Sequence, residues 1–186
     1  MNLKNSVILF LTIFYILIIS SNTLAEKGYI NKLKLLKEKN TLYIEFVVEN
    51  CFHKKVIEAI KSGFPVTFIF QIELKEQKNI WPDSIIIKKM VKHSIKFDNM
   101  KEIYKVKLEK GKEIELKDIS KAKGYISHLK LPIINVSSLE SGKVYKINSQ
   151  VKLEPVELPS PLKKTIFFFS SPWDFETRWY SYEFSW

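Results

Sequence analysis

Alternation of apolar and polar residues is the feature that most limits how this 186-residue chain can fold. Side chains along a β-strand point in turn to opposite faces of the sheet, so a two-residue period is typical of a strand with one buried face. Residues 66–75 show this period, with polar residues at four of the intervening positions and apolar residues at Val66, Phe68, Phe70, Ile72 and Leu74. The pattern predicts a strand and excludes an amphipathic helix here.

Similar patterns predict most of the remaining fold. They cover residues 29–36, 41–49, 85–97, 104–108 and 145–153. Lys37–Asn40 is expected to join the first two strands as a hairpin. Short turns are frequent, and the helical crossovers that parallel strands need are missing. The sequence therefore predicts a mainly β fold, an antiparallel sheet or sandwich with two or three short helices.

The predicted helices are marked by capping residues. Asn50 is expected to cap a first helix, which Gly63 ends. Asp118 is expected to cap a short second helix, with Gly124 as its stop. A third helix is expected after Pro161, since proline fits the first helical turn.

Residues 1–25 have the order of a secretory signal peptide: a basic start, a thirteen-residue apolar core at 7–19, and small residues at its end. Thr23 and Ala25 occupy the −3 and −1 positions, which predicts cleavage between Ala25 and Glu26. Thirteen helical residues rise about 20 Å, less than the roughly 30 Å of a bilayer core. We expect an exported protein, and the periplasm is the compartment that we favour. Retention of the segment as a membrane anchor stays open.

The 161 residues after the predicted cleavage site suit one compact unit. We expect a mainly β domain over 26–160, and a helix with an aromatic tail over 161–186 that packs on it. The formal charge is +10, but Arg178 is the only arginine among thirty basic residues. Proteins that bind nucleic acid use arginine for bidentate contacts to bases and phosphates, so no nucleic-acid partner is expected. Weak attraction to an anionic membrane surface stays open.

Residues with catalytic or metal-binding chemistry are sparse and scattered. His53, His93 and His128 lie far apart and fit no metal-site spacing. Cys51 is the single cysteine, so no internal disulfide can form, and we expect a small buried residue there. The sequence predicts no enzyme, no metal and no cofactor.

The chain resembles a known family in several pieces that occur in the same order. They are the helix end and strand start 58–66, Trp81, Tyr145, the proline-rich 158–162, and the tail Trp173-Asp174-Phe175-Glu176-Thr177-Arg178-Trp179. The family is the domain of unknown function 4390 family of exported bacterial proteins. The resemblance implies an exported single-domain protein without an assigned activity. Its members often lie near genes for sensor kinases of the nitrogen-regulation type, which hints at envelope signalling.

The tail supplies the candidate site residues, namely Trp173, Asp174, Phe175, Thr177, Arg178 and Trp179. In one interpretation the rings fold back over the sheet and close the core, and Asp174 pairs with Arg178. In the other the rings stay exposed and form a docking surface. The sequence leaves both open.

The last residues alternate again, with aromatic side chains at Tyr180, Tyr182, Phe184 and Trp186. This is typical of the terminal strand of a small outer-membrane β-barrel, so such a barrel, or another membrane-associated structural protein, is the alternative. The function expected first is a non-catalytic binding or accessory protein of the bacterial envelope, with an unknown envelope protein as partner. The oligomeric state cannot be predicted from the sequence.

Overall fold

The structure is a computed structural model that describes residues 28–78, 80–109, 111, 113–154 and 175–186. Four sequence predictions lie outside these residues: the signal peptide with its cleavage site at Ala25 and Glu26, the boundary at residue 160, the helix after Pro161, and the positions of Trp173 and Asp174.

The described residues form nine strands, two α-helices and one 3-10 turn, Val136–Ser138. The strands are β1 (Tyr29–Glu38), β2 (Thr41–Glu49), β3 (Val66–Glu76), β4 (Ser84–Asp98), β5 (Ile103–Lys107), β6 (Glu113–Leu116), β7 (His128–Asn135), β8 (Val144–Leu153) and β9 (Tyr180–Ser185). The helices are α1 (Lys54–Lys61) and α2 (Ile119–Ser127).

The strands form two antiparallel sheets, in the orders β1-β2-β7 and β6-β5-β4-β3-β8-β9. The predicted mainly β, antiparallel fold is therefore confirmed. The smaller sheet covers part of the larger one, and the rings of Phe46 on β2 and Phe70 on β3 lie 6.0 Å apart between them. Helix α2 contacts β4 and β5 and covers the other part.

The core is built by the alternating faces that the sequence predicted. On β3 the even-numbered residues from Val66 to Leu74 are buried against the smaller sheet. On the opposite face Glu73 forms ion pairs with Lys75 and Lys88, at 3.2 and 3.0 Å. The larger sheet thus has one apolar face, which stabilises the fold by burial, and one face on which charged side chains pair with each other.

The start of α1 differs from the sequence prediction. The helix begins at Lys54 with His53 as its N-cap, and the His53 side chain makes no capping hydrogen bond. The prediction that Asn50 caps it is wrong, because Asn50 has φ +55° and turns the chain at the end of β2. Asparagine tolerates this left-handed conformation better than most residues. Gly63, at φ +82°, ends the helix as predicted.

Helix α2 confirms its predicted start and corrects its predicted end. The Asp118 carboxylate accepts a hydrogen bond from the Ser120 N–H at 2.6 Å. Gly124 does not stop the helix, which continues to Ser127 because Ile126 packs into the core. In the part of the chain that the structure describes, no helix combines the length and apolarity needed to cross a bilayer.

Candidate binding site between the first and last strands

The described part of the tail runs antiparallel along β8 and ends in β9. The Leu153 N–H donates to the Phe175 carbonyl at 3.0 Å, and the Thr177 N–H donates to the Val151 carbonyl at 2.8 Å. Beyond these contacts, β9 completes the edge of the larger sheet. Residues 175–186 of the tail are therefore part of the larger sheet.

A β-bulge divides the tail into two pieces. Thr177 is bonded to Val151, whereas Tyr180 lies opposite Ser149, so two tail residues face Gln150 alone. These two residues are Arg178 and Trp179. A bulge of this kind bends the strand and redirects its side chains.

Before the bulge, Phe175 is a core residue. Its side chain is only 8% exposed, and its ring meets that of Phe68 edge-on at 6.1 Å. Gly28 lies directly beneath this ring, and a methyl group on Gly28 would overlap it. The tail therefore packs directly on the residue before β1. Glycine is required at position 28 because the Phe175 ring leaves no space for a side chain.

Thr177 and Glu176 hold the tail to β8 through side chains. The Thr177 hydroxyl oxygen accepts from the Val151 N–H at 3.0 Å, where a ladder carbonyl would normally lie. The Gln150 side-chain amide donates to the Thr177 carbonyl at 3.1 Å and to the Glu176 carboxylate. Residues 175–177 therefore stabilise the position of the bulge, and we name them the anchor.

At the bulge, the side chains reach the surface. Arg178 is exposed and Trp179 is 47% exposed. An open groove of about 280 Å³ lies here, lined by Gly28, Tyr29, Ile30, Arg178, Trp179 and Tyr180. We name this groove the seam, since it separates the edge strands β1 and β9. Its size is just below the roughly 300–1,000 Å³ of small-molecule pockets, which suits a peptide side chain better than an enclosed ligand.

The predicted pairing of Asp174 with Arg178 involves a residue outside the described ranges. Residues 177–179 are not helical, so the helical spacing on which that pairing depended is not formed there. The seam itself combines exposed aromatic rings with one guanidinium group. Such a surface can stack on apolar or planar groups and attract an anion.

The titratable side chains of His93, His128 and Cys51 lie away from the seam and are buried or hydrogen-bonded within the fold. His93 is buried, its Nδ1 lies 3.2 Å from the Ile126 carbonyl oxygen, and burial lowers its pKa. His128 bonds Glu45 at 2.8 Å and thereby lowers the pKa of that carboxyl. Burial raises the pKa of the Cys51 thiol to about 12, which leaves it unreactive as a nucleophile.

Metal-binding geometry is not found among the residues that the structure describes, where no three His, Cys, Asp or Glu side chains converge. A second open cavity of about 440 Å³ lies on the charged face of the larger sheet. Lys92 and Glu154 form an ion pair with each other at its rim. This pairing leaves the cavity without an evident charge preference.

Residues 25–183 match the family described as Domain of unknown function (DUF4390). The chain belongs to this family. The matched range includes both sides of the seam, from Gly28 just before β1 to Tyr180 on β9. No curated protein and no solved structure matches the chain. Membership in the DUF4390 family therefore carries no assigned activity, and a functional argument must rest on the seam.

Proposed function

We propose that this DUF4390 protein is an exported, non-catalytic binding or accessory protein of the bacterial envelope. The seam is the observation that carries the proposal. The exposed rings of Tyr29, Trp179 and Tyr180 line the seam, and the exposed ring of Tyr182 follows on the same face of β9. Aromatic side chains next to an arginine are enriched where proteins bind one another.

The anchor supports a binding role for the residues that follow it. The Phe175 ring is buried in the core, and the Thr177 hydroxyl is hydrogen-bonded to the main chain of β8. Both contacts fix the chain just before Trp179. Trp179 is therefore presented from a rigid sheet edge, which lowers the entropy that a partner must remove on binding. A ring placed on a rigid scaffold suits recognition of a folded or extended partner.

The proposed location follows from the signal-like residues 1–25, and the periplasm is the compartment proposed. The proposed partner is an envelope protein, with the outward part of a sensor kinase as the first candidate. The scattered histidines and the buried Cys51 thiol support a role without catalysis. The excess of lysine also supports a weak attraction to anionic membrane surfaces.

Site-specific cross-linking in the native bacterium tests the binding role. A photoreactive amino acid replaces Trp179 in the full-length protein, and cross-linked species are identified by mass spectrometry. Tyr125 on α2 is the matched control position, because its side chain is 46% exposed and lies away from the seam. We expect one discrete protein adduct at position 179 and none at position 125. Equal adduct patterns at both positions would contradict a specific seam.

Fractionation tests the location independently. We expect osmotic shock to release the protein, and the intact mass of the released form to begin at Glu26. A protein that stays in the cytosolic fraction with residues 1–25 attached would contradict export.

A further inference from the structure

The turn between β3 and β4 exposes apolar side chains far from the seam. Ile80 is 90% exposed and Trp81 is 75% exposed, whereas Trp179 in the seam is 47% exposed. Two further side chains, Ile85 and Ile86, are exposed where β4 begins. No other isoleucine among the described residues is exposed. Folded proteins usually bury isoleucine, so this cluster indicates a surface that another apolar phase or molecule covers.

The base of the turn is held by strands on both sides. β3 pairs with β4 up to Glu76 and Ser84, and it pairs with β8 on its other side. The Gln77 N–H then donates to the Val144 carbonyl at 3.0 Å, and the Gln77 side-chain amide donates to the Glu183 carboxylate at 2.7 Å. The exposed side chains are therefore presented from a paired strand, which lowers the entropy lost on binding.

These side chains project from the surface and do not enclose a cavity. Neither the seam nor the second cavity is lined by Ile80, Trp81, Ile85 or Ile86. A protein interface needs complementary shape on both sides, whereas a lipid layer is fluid and closes around a projecting group. Tryptophan is enriched at the boundary between membrane and water, and isoleucine enters hydrocarbon readily. Shape and composition therefore both favour a lipid surface as the occupant.

Lysine side chains surround the turn. The turn between β1 and β2 lies at the same end of the molecule, because the Lys37 ammonium is 5.1 Å from the Trp186 ring and the Trp186 N–H donates to the Lys143 carbonyl. The exposed lysines of the two turns form no ion pair with a described carboxylate, and they are Lys37, Lys39 and Lys78. Such cations are attracted to the phosphates of lipid headgroups.

Most acidic side chains at this end are already paired with lysine. Glu76 and Glu140 share the Lys143 ammonium, at 2.8 Å each. Glu38 forms an ion pair with a lysine of β7. Asp83, in the β3–β4 turn itself, has no ion pair to a described residue and opposes the attraction. The excess of positive charge is therefore small, so burial of apolar side chains is the main driving force and anionic lipid adds to it.

The β3–β4 turn and the seam lie at opposite ends of β9. Ser185 pairs with Val144 beside the turn, and Tyr180 pairs with Ser149 beside the seam. The five steps between these two positions of β9 cover about 17 Å. A molecule that contacts a bilayer through the turn thus holds its seam away from the lipid, where a partner in water can bind it.

We propose that the β3–β4 turn inserts into the surface of a phospholipid bilayer. The proposal rests on the proposed envelope location and concerns the mature, exported chain. Ile80 and Trp81 enter the boundary between headgroups and hydrocarbon, where interfacial segments lie about 5–10 Å deep. Lys78 extends back to the phosphates, and Ile85 and Ile86 cover the rim of the contact. So few inserted side chains give reversible binding to the membrane.

Co-sedimentation of the mature protein with vesicles tests the proposal. The probes are vesicles of phosphatidylethanolamine and phosphatidylglycerol in a roughly 3:1 ratio, with lipid in large excess. Ile80→Asp should weaken binding at least about tenfold, because a charge replaces a side chain that enters the lipid.

Met100→Asp is the matched control. Met100 is 96% exposed in the turn between β4 and β5, at the other end of β4, and the variant changes the net charge equally. We expect Met100→Asp to bind within about twofold of the wild type. Both positions are exposed, so both variants should melt at the wild-type temperature.

Two further measurements locate the contact. Brominated lipid should quench the fluorescence of the wild type, less that of Trp81→Phe, and that of Trp179→Phe as strongly as the wild type. Asp83→Asn should strengthen binding about threefold, since it removes the carboxylate nearest to the headgroups. Replacement of all phosphatidylglycerol by phosphatidylcholine should weaken binding without abolishing it.

Equal loss of binding in Ile80→Asp and Met100→Asp would overturn the proposal, because overall charge alone would then explain the attraction. Absence of wild-type binding to either kind of vesicle would overturn it as well. A discrete protein adduct of a photoreactive residue at position 81, without vesicle binding, would assign the turn to a protein partner instead. Vesicle binding through the turn without a specific adduct at position 179 would uphold this proposal and remove the binding role of the seam.

Discussion

The two pieces of the C-terminal tail, separated by one bulge, have opposite environments. Phe175 and Thr177 in the anchor are buried and bonded to the body of the protein. Trp179 in the bulge and Tyr180 immediately after it are exposed along the seam. An aromatic-rich stretch can therefore close a core and present a surface at once, because one extra residue in a strand changes which way the following side chains point.

Phe175→Ala should have the largest effect on this contrast. Removal of a buried ring that contacts Phe68 and covers Gly28 leaves a cavity, so the free energy of unfolding should fall by about 3–4 kcal/mol. Denaturant unfolding measures it. Trp179→Ala is the comparison variant, and we expect about 1 kcal/mol because much of that ring is exposed. Equal losses in the two variants would remove the distinction between anchor and seam.

Thr177→Val tests the polar half of the anchor at nearly constant volume. It leaves the buried Val151 N–H without the oxygen that accepts from it at 3.0 Å. We expect a loss of about 2 kcal/mol in the free energy of unfolding. Thr177→Ser keeps the hydroxyl and should retain most of the stability. A Val variant as stable as the wild type would show that the hydroxyl does not hold the tail.

Acid should loosen the packing of α2 against β4. The pKa of buried His93 is lowered from its ordinary 6.5, because burial disfavours the charged form. The unfolded state then binds the proton more readily, so this contribution to stability is complete above about pH 6.5 and decreases as pH falls below it.

The pH dependence is measured by melting temperature between pH 7.5 and 5, with His93→Phe as the variant that cannot titrate. We expect a smaller slope in the variant. Because the His93 ring contacts the Ile126 carbonyl of α2, hydrogen exchange should rise first in α2. An early rise in β9 instead would link the two regions.

Ser149→Ala should have the smallest effect, and of opposite sign to Thr177→Val. The Ser149 hydroxyl is fully buried opposite Tyr180 and has no hydrogen-bond partner among the described residues. Removing it should raise the free energy of unfolding by up to about 1 kcal/mol. A measured loss of stability would indicate a bound water or another partner for this hydroxyl.

Much of the sheet could be predicted because strand periodicity is a local property. β3 and β8 appear where their alternation predicted them, and β7 could have been found from Leu129, Leu131 and Ile133. Pro132 obscured that pattern, although proline is accepted on an edge strand, where β7 lies. The four-residue β6 is too short to carry a periodic signal of its own.

The site was only partly predictable. Sequence reasoning singled out Phe175, Thr177, Arg178 and Trp179 but could not assign each to core or surface. That assignment depends on partners distant in sequence, and Gly28 was not recognised as one of them. A glycine can be required near the start of a strand for several reasons. Here it is required because the Phe175 ring occupies the space that a side chain would need.

The sequence by itself determined which residues form strands and which faces of those strands are apolar, because both follow from the two-residue period of an extended chain. Only the tertiary structure decided where the last strand pairs, where the bulge falls, and which edge of the sheets is left open. Those features depend on contacts between residues distant in the sequence, such as Val151 with Thr177 and Gly28 with Phe175. The local pattern of apolar and polar residues does not predict such contacts.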